Sequence, residues 1–434
     1  MSKVTMAQQF PWSAETASGR LATSKNRINS DEPGVKHVFT QTFFDEADTQ
    51  ASKIEEYSGS PLCGALVSVK DLFDVKGYVT KAGTTFMADD PPARADAPPI
   101  KNLRDAGGIL LGHTNMTELA YSGLGLNPHY GTPESAIAPG CIPGGSTAGG
   151  AVSVARGIAD IAMGTDTGGS LRIPAAFNGI VGYKPSQNTV SRQGCKALSK
   201  SLDSVGPMAK TVAACEQAYK TIFNGASNSG LAVDRDFIIP TNFGMDDLEQ
   251  RVEAAFERVE STLKKCGYKV ERRPIDSLDA LKQLAIWQFA SIESRSEYEE
   301  AFQTKRHMID PRIAGPTRMG RADEVSAASY RKTLNLRQKL IHQFRNEMGS
   351  KILLMPTVPI LPPSFAALED DDEYTRINLQ VLRNPSIANV MDCCSISLPY
   401  THAEATIGIM LTTGTNHDLS LLELAAECEQ LFCQ

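Results

Sequence analysis

The stretch from Gly140 to Ser186, GCIPGGSTAGGAVSVARGIADIAMGTDTGGSLRIPAAFNGIVGYKPS, limits what this chain can become more than any other part of it. Two serines, Ser146 and Ser170, each follow a pair of glycines. Between them AVSVAR is short and mostly apolar, as one face of a helix would be. Gly157 stops it, and IADIAMG has the length and composition of a buried strand. Each serine therefore falls where a loop meets a regular element. The glycines allow backbone N–H groups to approach a ligand closely, and such a loop can hold an anion.

The rest of the chain alternates helix and strand. Residues 1–35 are polar and weakly patterned, which predicts a loosely docked N-terminal segment, and Val38 to Ile54 carries apolar residues at helical spacing. After the turn-like Ser58-Gly59-Ser60-Pro61, Ala65–Val69 alternates as a strand does, with Lys70 at its end. A lysine at a strand end is ordinarily a solvated charge, so Lys70 by itself decides nothing, and the polar Asp71 beside it does not separate the readings. Residues 92–107 read as a helix, ILLGHTNM as a strand ending at Asn115, and roughly twenty-five residues rich in glycine and proline then lead into Ser146. Tyr121, in that loop, is either a pocket wall or an ordinary packed tyrosine.

Past Ser186 a helical stretch runs up to Phe223. Val252, Ala255, Phe256, Val259 and Leu263 mark an amphipathic helix with Gly267 as its cap, and YKVERRPI reads as an edge strand. Helical patterning returns over 278–305 and Ala327–Met348, followed by KILLMPTVPI as a buried strand and Glu369–Glu373 as an acidic solvated loop. SISLPY and ATIGIMLTT read as strands and LSLLELAAECEQLF as a closing helix. The alternation predicts an α/β architecture built on a large mixed sheet.

Composition narrows the function. A length of 434 residues permits two or three domains as a prior, and 41% hydrophobic residues can fill a large core. A net charge of −7 argues against a nucleic-acid surface or attraction to anionic lipid. No apolar run suits a signal peptide or a membrane span, so a cytoplasmic protein is expected. Nine cysteines lack CxxC or Cys/His spacing, and the seven histidines form no HExxH, so no disulfide framework, metal or cofactor is expected.

Neither serine lies in GxSxG: Gly-Gly-Ser146-Thr147-Ala148 and Gly-Gly-Ser170-Leu171-Arg172 both fail at the last position. A serine nucleophile still needs a proton acceptor, and a lysine made neutral by burial can serve. Phosphate binding is the competing reading of such glycine loops, but the Walker lysine and GxGxxG are both absent.

Three separated segments, VSVKDLFDVKG, PGGSTAGGA and GTDTGGSLRIPAAFNGIVGYKPS, closely resemble the signature of the amidase signature family, Ser–Ser–Lys hydrolases of amide bonds. The resemblance continues through SLDSVGPMAKT, LLMPTVP and NPSIANVMDCCSISLP, most of the chain from about Gly64 onward. It implies one domain over residues 1–434, with a signature core at about 64–190, a more variable helical region at about 225–350, and helices on both faces of a central sheet. It makes Ser170 the nucleophile, Ser146 the bridging serine and Lys70 the base. It also makes the Gly145–Ser146 peptide cis, and Thr167, Gly168, Gly169 and Ser170 the oxyanion-hole donors. Lys70 is then expected to be buried away from carboxylates, with Asp166 and Arg172 as supports of the loop.

Thr147, Ala148 and Gly150 depart from the family's usual serine and glycine pattern, so hydrogen bonding around Ser146 is expected to differ. The region before the lysine is short for the family, which puts in question a helix covering the pocket or mediating dimerisation. The implied reaction is hydrolysis of a small carboxamide or urea-type amide through a seryl acyl-enzyme. The alternative is the glutaminase subunit of a tRNA-dependent amidotransferase. A scaffold that has lost catalysis fits poorly, since all three triad positions are filled. Tyr121 is a candidate substrate contact, and whether Arg312, Arg318 or Arg383 meets a substrate carboxylate stays open. So does the oligomeric state, a homodimer being one form it can take.

Overall fold

A computed structural model describes residues 10–30, 32, 34–224 and 231–432. Its strands are β1 (Phe39–Thr42), β2 (Leu66–Lys70), β3 (Ile109–Thr114), β4 (Ile161–Asp166), β5 (Val181–Lys184), β6 (Ser204–Ala209), β7 (Asp236–Pro240), β8 (Lys269–Arg273), β9 (Ile352–Pro356), β10 (Cys393–His402) and β11 (Ala405–Gly414). They form one sheet in the order β1-β3-β2-β4-β6-β5-β10-β11-β9-β7-β8. Pairing is parallel for β2 with β3 and β4, and for β7 with β8 and β9, and antiparallel elsewhere. The sheet is therefore mixed, as the sequence predicts.

Both faces are covered, and the strand residues divide between them by alternation. Val67, Val69, Leu110, Ile161 and Met163 join one core with the helices Val212–Ile222, Gln250–Lys265 and Asp418–Phe432. Their neighbours Leu66, Ile109, Leu111 and Ala162 join another with the helices Ala14–Ile28, Phe44–Ser52 and Ala148–Ala155. Buried on two sides, these strands read in sequence as continuous apolar runs.

Four expectations need correction. The N-terminal segment is not loosely docked where it is described: Ser13 caps the helix Ala14–Ile28, which buries Ala17 and Leu21. The weak pattern reflects how few of its residues touch the core. This helix packs where β2 and β4 begin, with Arg20 paired to Asp160 and Ser24 donating to the Ile158 carbonyl, so it does not cover the site at their other ends. The stretch Val38–Ile54 is not one helix; it opens as β1, antiparallel to β3, before the helix Phe44–Ser52. The helix expected over 92–107 is confined to Pro98–Asp105, because prolines at its start set where it can begin. The acidic run at 369–373 is not a loop throughout: Asp370 caps the helix Asp371–Arg383 by accepting from the N–H groups of Asp372 and Glu373.

Gly267 ends its helix with φ +88°, and YKVERRPI supplies the edge strand β8, both as predicted. No described helix is long and apolar enough to cross a membrane.

Candidate active site

The candidate site lies where β2 and β4 end. Lys70 is the last residue of β2, and its side chain is completely buried. Nζ donates to Ser146 Oγ at 2.8 Å and to Thr165 Oγ1 at 3.1 Å. Burial pushes the amine from its ordinary 10.5 down to about 7, against the opposing pull of the Asp203 and Asp166 carboxylates. The expectation of a lysine remote from carboxylates thus holds only in part, because desolvation outweighs charges that are nonetheless nearby. Asp71 points the other way: it accepts from Thr40 Oγ1 and from the Lys81 N–H, holding the turn after the lysine.

Ser146 is presented by the long loop and the start of the helix Ala148–Ala155. The Gly145–Ser146 peptide is cis. The Gly145 N–H donates to the Gly123 carbonyl at 2.8 Å, and the Ser146 carbonyl accepts from the Thr117 N–H. Two departures from the family pattern fit one another here. A Cβ at Gly150 would lie 2.9 Å from Thr147 Cγ2, so the glycine makes room for the threonine methyl. Thr147 Oγ1 itself is buried with no hydrogen-bond partner among the described residues.

Ser170 sits between β4 and the helix Arg172–Asn178 and is 4% exposed. Its Oγ makes no hydrogen bond among the described residues, so the structure closes the Lys70–Ser146 half of the expected relay and leaves the Ser146–Ser170 half open. The loop is held by Asp166, which accepts from Arg172 Nε and Nη2, from Asn389 Nδ2, and from the N–H groups of Gly169 (2.8 Å) and Leu171 (3.1 Å). Burial alone would raise this carboxyl, but the Arg172 charge outweighs it and holds it at about 2. Arg172, fully buried, also donates to the Pro385 carbonyl and to Asn389 Oδ1. Gly169 thereby departs from the sequence expectation, since its N–H is already given to Asp166. The N–H groups of Thr167, Gly168 and Ser170 have no acceptor among the described residues.

Tyr121 is nearly buried, with Oη accepting from Ser294 Oγ at 3.4 Å. Of the three arginines left open, Arg312 pairs with Asp371 and Arg383 holds the carbonyls of Gly244 and Asp246. Arg318 donates to the Tyr121 carbonyl at 3.0 Å and lies over the rings of Tyr121 and Tyr374. Sequence reasoning missed Thr165, Asp203 and Asn389, whose only signal is membership of the resembling segments. Among the described residues, no group of histidine, cysteine, aspartate or glutamate is arranged to hold a metal ion.

The family model described as Amidase matches residues 21–422. The chain belongs to the amidase family. It is accordingly a hydrolase of C–N bonds. A 2-amino-5-chloromuconic acid deaminase from Comamonas testosteroni is 31% identical over 398 residues, 86% of this chain and 83% of that protein. The A subunit of a glutamyl-tRNA(Gln) amidotransferase from Lachnoclostridium phytofermentans is 34% identical over 284 residues, 60% of this chain and 57% of that protein. The crystal structure of an amidase superposes with a TM-score of 0.84 at 26% identity, covering 96% of this chain and 98% of that one.

Proposed function

We propose that this amidase cleaves a small carboxamide or urea-type amide with Ser170 as nucleophile, Ser146 as bridging acid and base, and Lys70 as the base. The observation that carries the reading is the buried Lys70 amine, 2.8 Å from Ser146 Oγ and shifted to about 7. Near neutral pH an amine so placed has a large neutral fraction and can take a proton. Ser170 Oγ attacks the amide carbonyl carbon, its proton passing to Ser146 while the Ser146 proton passes to Lys70. The Ser146–Ser170 contact closes when substrate is bound, as catalytic hydrogen bonds commonly do. The N–H groups of Thr167, Gly168 and Ser170 receive the developing oxyanion. Returning the proton to nitrogen breaks the C–N bond and frees ammonia or an amine. Water then repeats the sequence on the acyl-enzyme and leaves a carboxylic acid.

Tyr121, whose carbonyl and ring hold Arg318, is the proposed substrate contact. The protein works in the cytoplasm without a cofactor, a reading supported by cysteines that show neither disulfide nor metal spacing. The test is ammonia release from a panel of small amides, ureas and glutamine. Parent protein turns over at least one, and Ser170→Ala and Lys70→Ala lose that activity by about 10³-fold or more. Parent-like rates from either variant overturn the assignment. The second reading, a glutaminase subunit, is favoured by the similarity to the amidotransferase, and glutamine hydrolysis that appears only with an added partner would select it.

A further inference from the structure

β4 and β6 run antiparallel with Asp166 opposite Ser204, so the residues just past the end of that ladder, Thr167 and Asp203, face one another. Thr167 Oγ1 donates to Asp203 Oδ1 at 2.5 Å. The same carboxylate accepts the N–H of Leu198 at 3.0 Å and that of Ser199 at 3.1 Å, and it is 7% exposed. From the other side of this loop Glu293 accepts from Ser199 Oγ at 2.6 Å, from the Ser201 N–H at 2.9 Å and from the Tyr330 hydroxyl. Two carboxylates thus grip one loop, and only Asp203 also reaches the loop that carries Ser170. Lys70 ends the strand on the far side of β4, with Nζ on Thr165, two residues before Thr167. Lys70, Thr167 and Asp203 therefore share one end of three neighbouring strands.

The charged and titratable groups around Lys70 are Asp203, Asp166 and Cys195. Asp166 is matched by Arg172 and burial pushes the Cys195 thiol well above its ordinary value, so Asp203 is the negative group that pulls most on Lys70. Around Asp203 stand Arg192, whose Nη1 donates to its carbonyl, and Tyr298 and Cys195, both kept neutral by burial. We propose that Asp203 is a positioning residue of this site: through Thr167 it holds the oxyanion donors, and it is the negative neighbour against which Lys70 exchanges its proton. The proposal rests on the Ser170–Ser146–Lys70 reading. Burial holds Asp203 at about 6, so it carries its charge where Lys70 titrates.

The test is the rate at which a fluorophosphonate labels Ser170 between pH 5 and 9, which needs no knowledge of the substrate. The parent rate falls as pH drops below neutral. In Asp203→Asn the plateau drops on the order of tenfold, and the acid limb moves down by roughly 1 pH unit because protonated Lys70 has lost its negative neighbour. Thr167→Val lowers the plateau about 10- to 100-fold without moving the limb, and Thr167→Ser restores most of it. Glu293→Gln, which loosens the loop from its other side, leaves the limb in place. Thermal unfolding of each variant reports folding; if Asp203→Asn does not fold, the Thr167 pair decides. An unmoved limb in Asp203→Asn, a shift shared with Glu293→Gln, or a Thr167→Val plateau equal to that of the parent overturns the proposal. Undiminished labelling of Lys70→Ala instead overturns the reading beneath it.

Discussion

In the proposed reaction Lys70 is needed for the chemistry, and it is costly to folding. Its side chain leaves water entirely and its amine falls to about 7, so at pH 7 burying it costs on the order of 4 kcal/mol relative to the protonated lysine of the unfolded chain. Replacing it by methionine removes that cost and strands hydrogen-bond partners on Ser146 and Thr165, which takes back about 1–2 kcal/mol. Lys70→Met is therefore expected to be inactive yet more stable by about 2 kcal/mol at pH 7, read as a higher urea midpoint. The sign follows from linkage. The unfolded chain binds more protons at this site between about pH 7 and 10.5, so parent stability rises across that window and the advantage of the variant shrinks toward pH 10. Ser146, Ser170 and Lys70 could be singled out because each stands in a segment that resembles the family signature; by its strand end alone Lys70 reads as a solvated charge. Thr165, Asp203 and Asn389 could not be, because each acts through a neighbour that only the tertiary structure brings close, by strand register for Thr165 and Asp203 and by the packing of the short helix Ser386–Val390 for Asn389.

Among the elements, the helix Asp371–Arg383 was hidden by the charge of its own start. Consecutive acids read as a solvated loop, yet Asp370 caps the helix and Asp371, Asp372 and Glu373 occupy its first turn, where negative charge suits the helix dipole. This helix buttresses the site. Asn378 Oδ1 accepts from Ser122 Oγ and from the Gly123 N–H, the residue whose carbonyl holds Gly145. Removing the cap in Asp370→Ala is expected to cost about 1 kcal/mol of stability, seen in urea unfolding, while kcat stays within about twofold because the far end of the helix keeps its packing. The strand β5 and the helix Arg172–Asn178 also escaped sequence reading, each too short for a period to register.

Across the whole molecule, support of the sheet and chemistry at it are separated along the strands. The N-terminal helix braces the ends where β2 and β4 begin, and Lys70, Thr165 and the Ser170 loop stand at the ends where they finish. Leu21, 2% exposed on the buried face of that helix, is expected to cost about 2–5 kcal/mol when cut to alanine. The loss appears as a lower urea midpoint, while the acid limb of activity stays where the parent has it, since Lys70 keeps its surroundings. By itself the sequence determined the alternation of helix and strand and the large mixed sheet, because periodicity and glycine placement are local properties written along the chain, while the helices on both faces and the set of two serines and a lysine followed from resemblance to the family signature. Only the tertiary structure decided that burial holds the lysine amine far below its ordinary value, that Asp166 takes the Gly169 N–H, and that Asp203 meets Thr167. The Lys70–Thr165 and Thr167–Asp203 contacts join residues far apart in sequence that strand register makes neighbours, the Asp166–Gly169 bond depends on how one loop turns back on itself, and desolvation depends on everything packed around the amine.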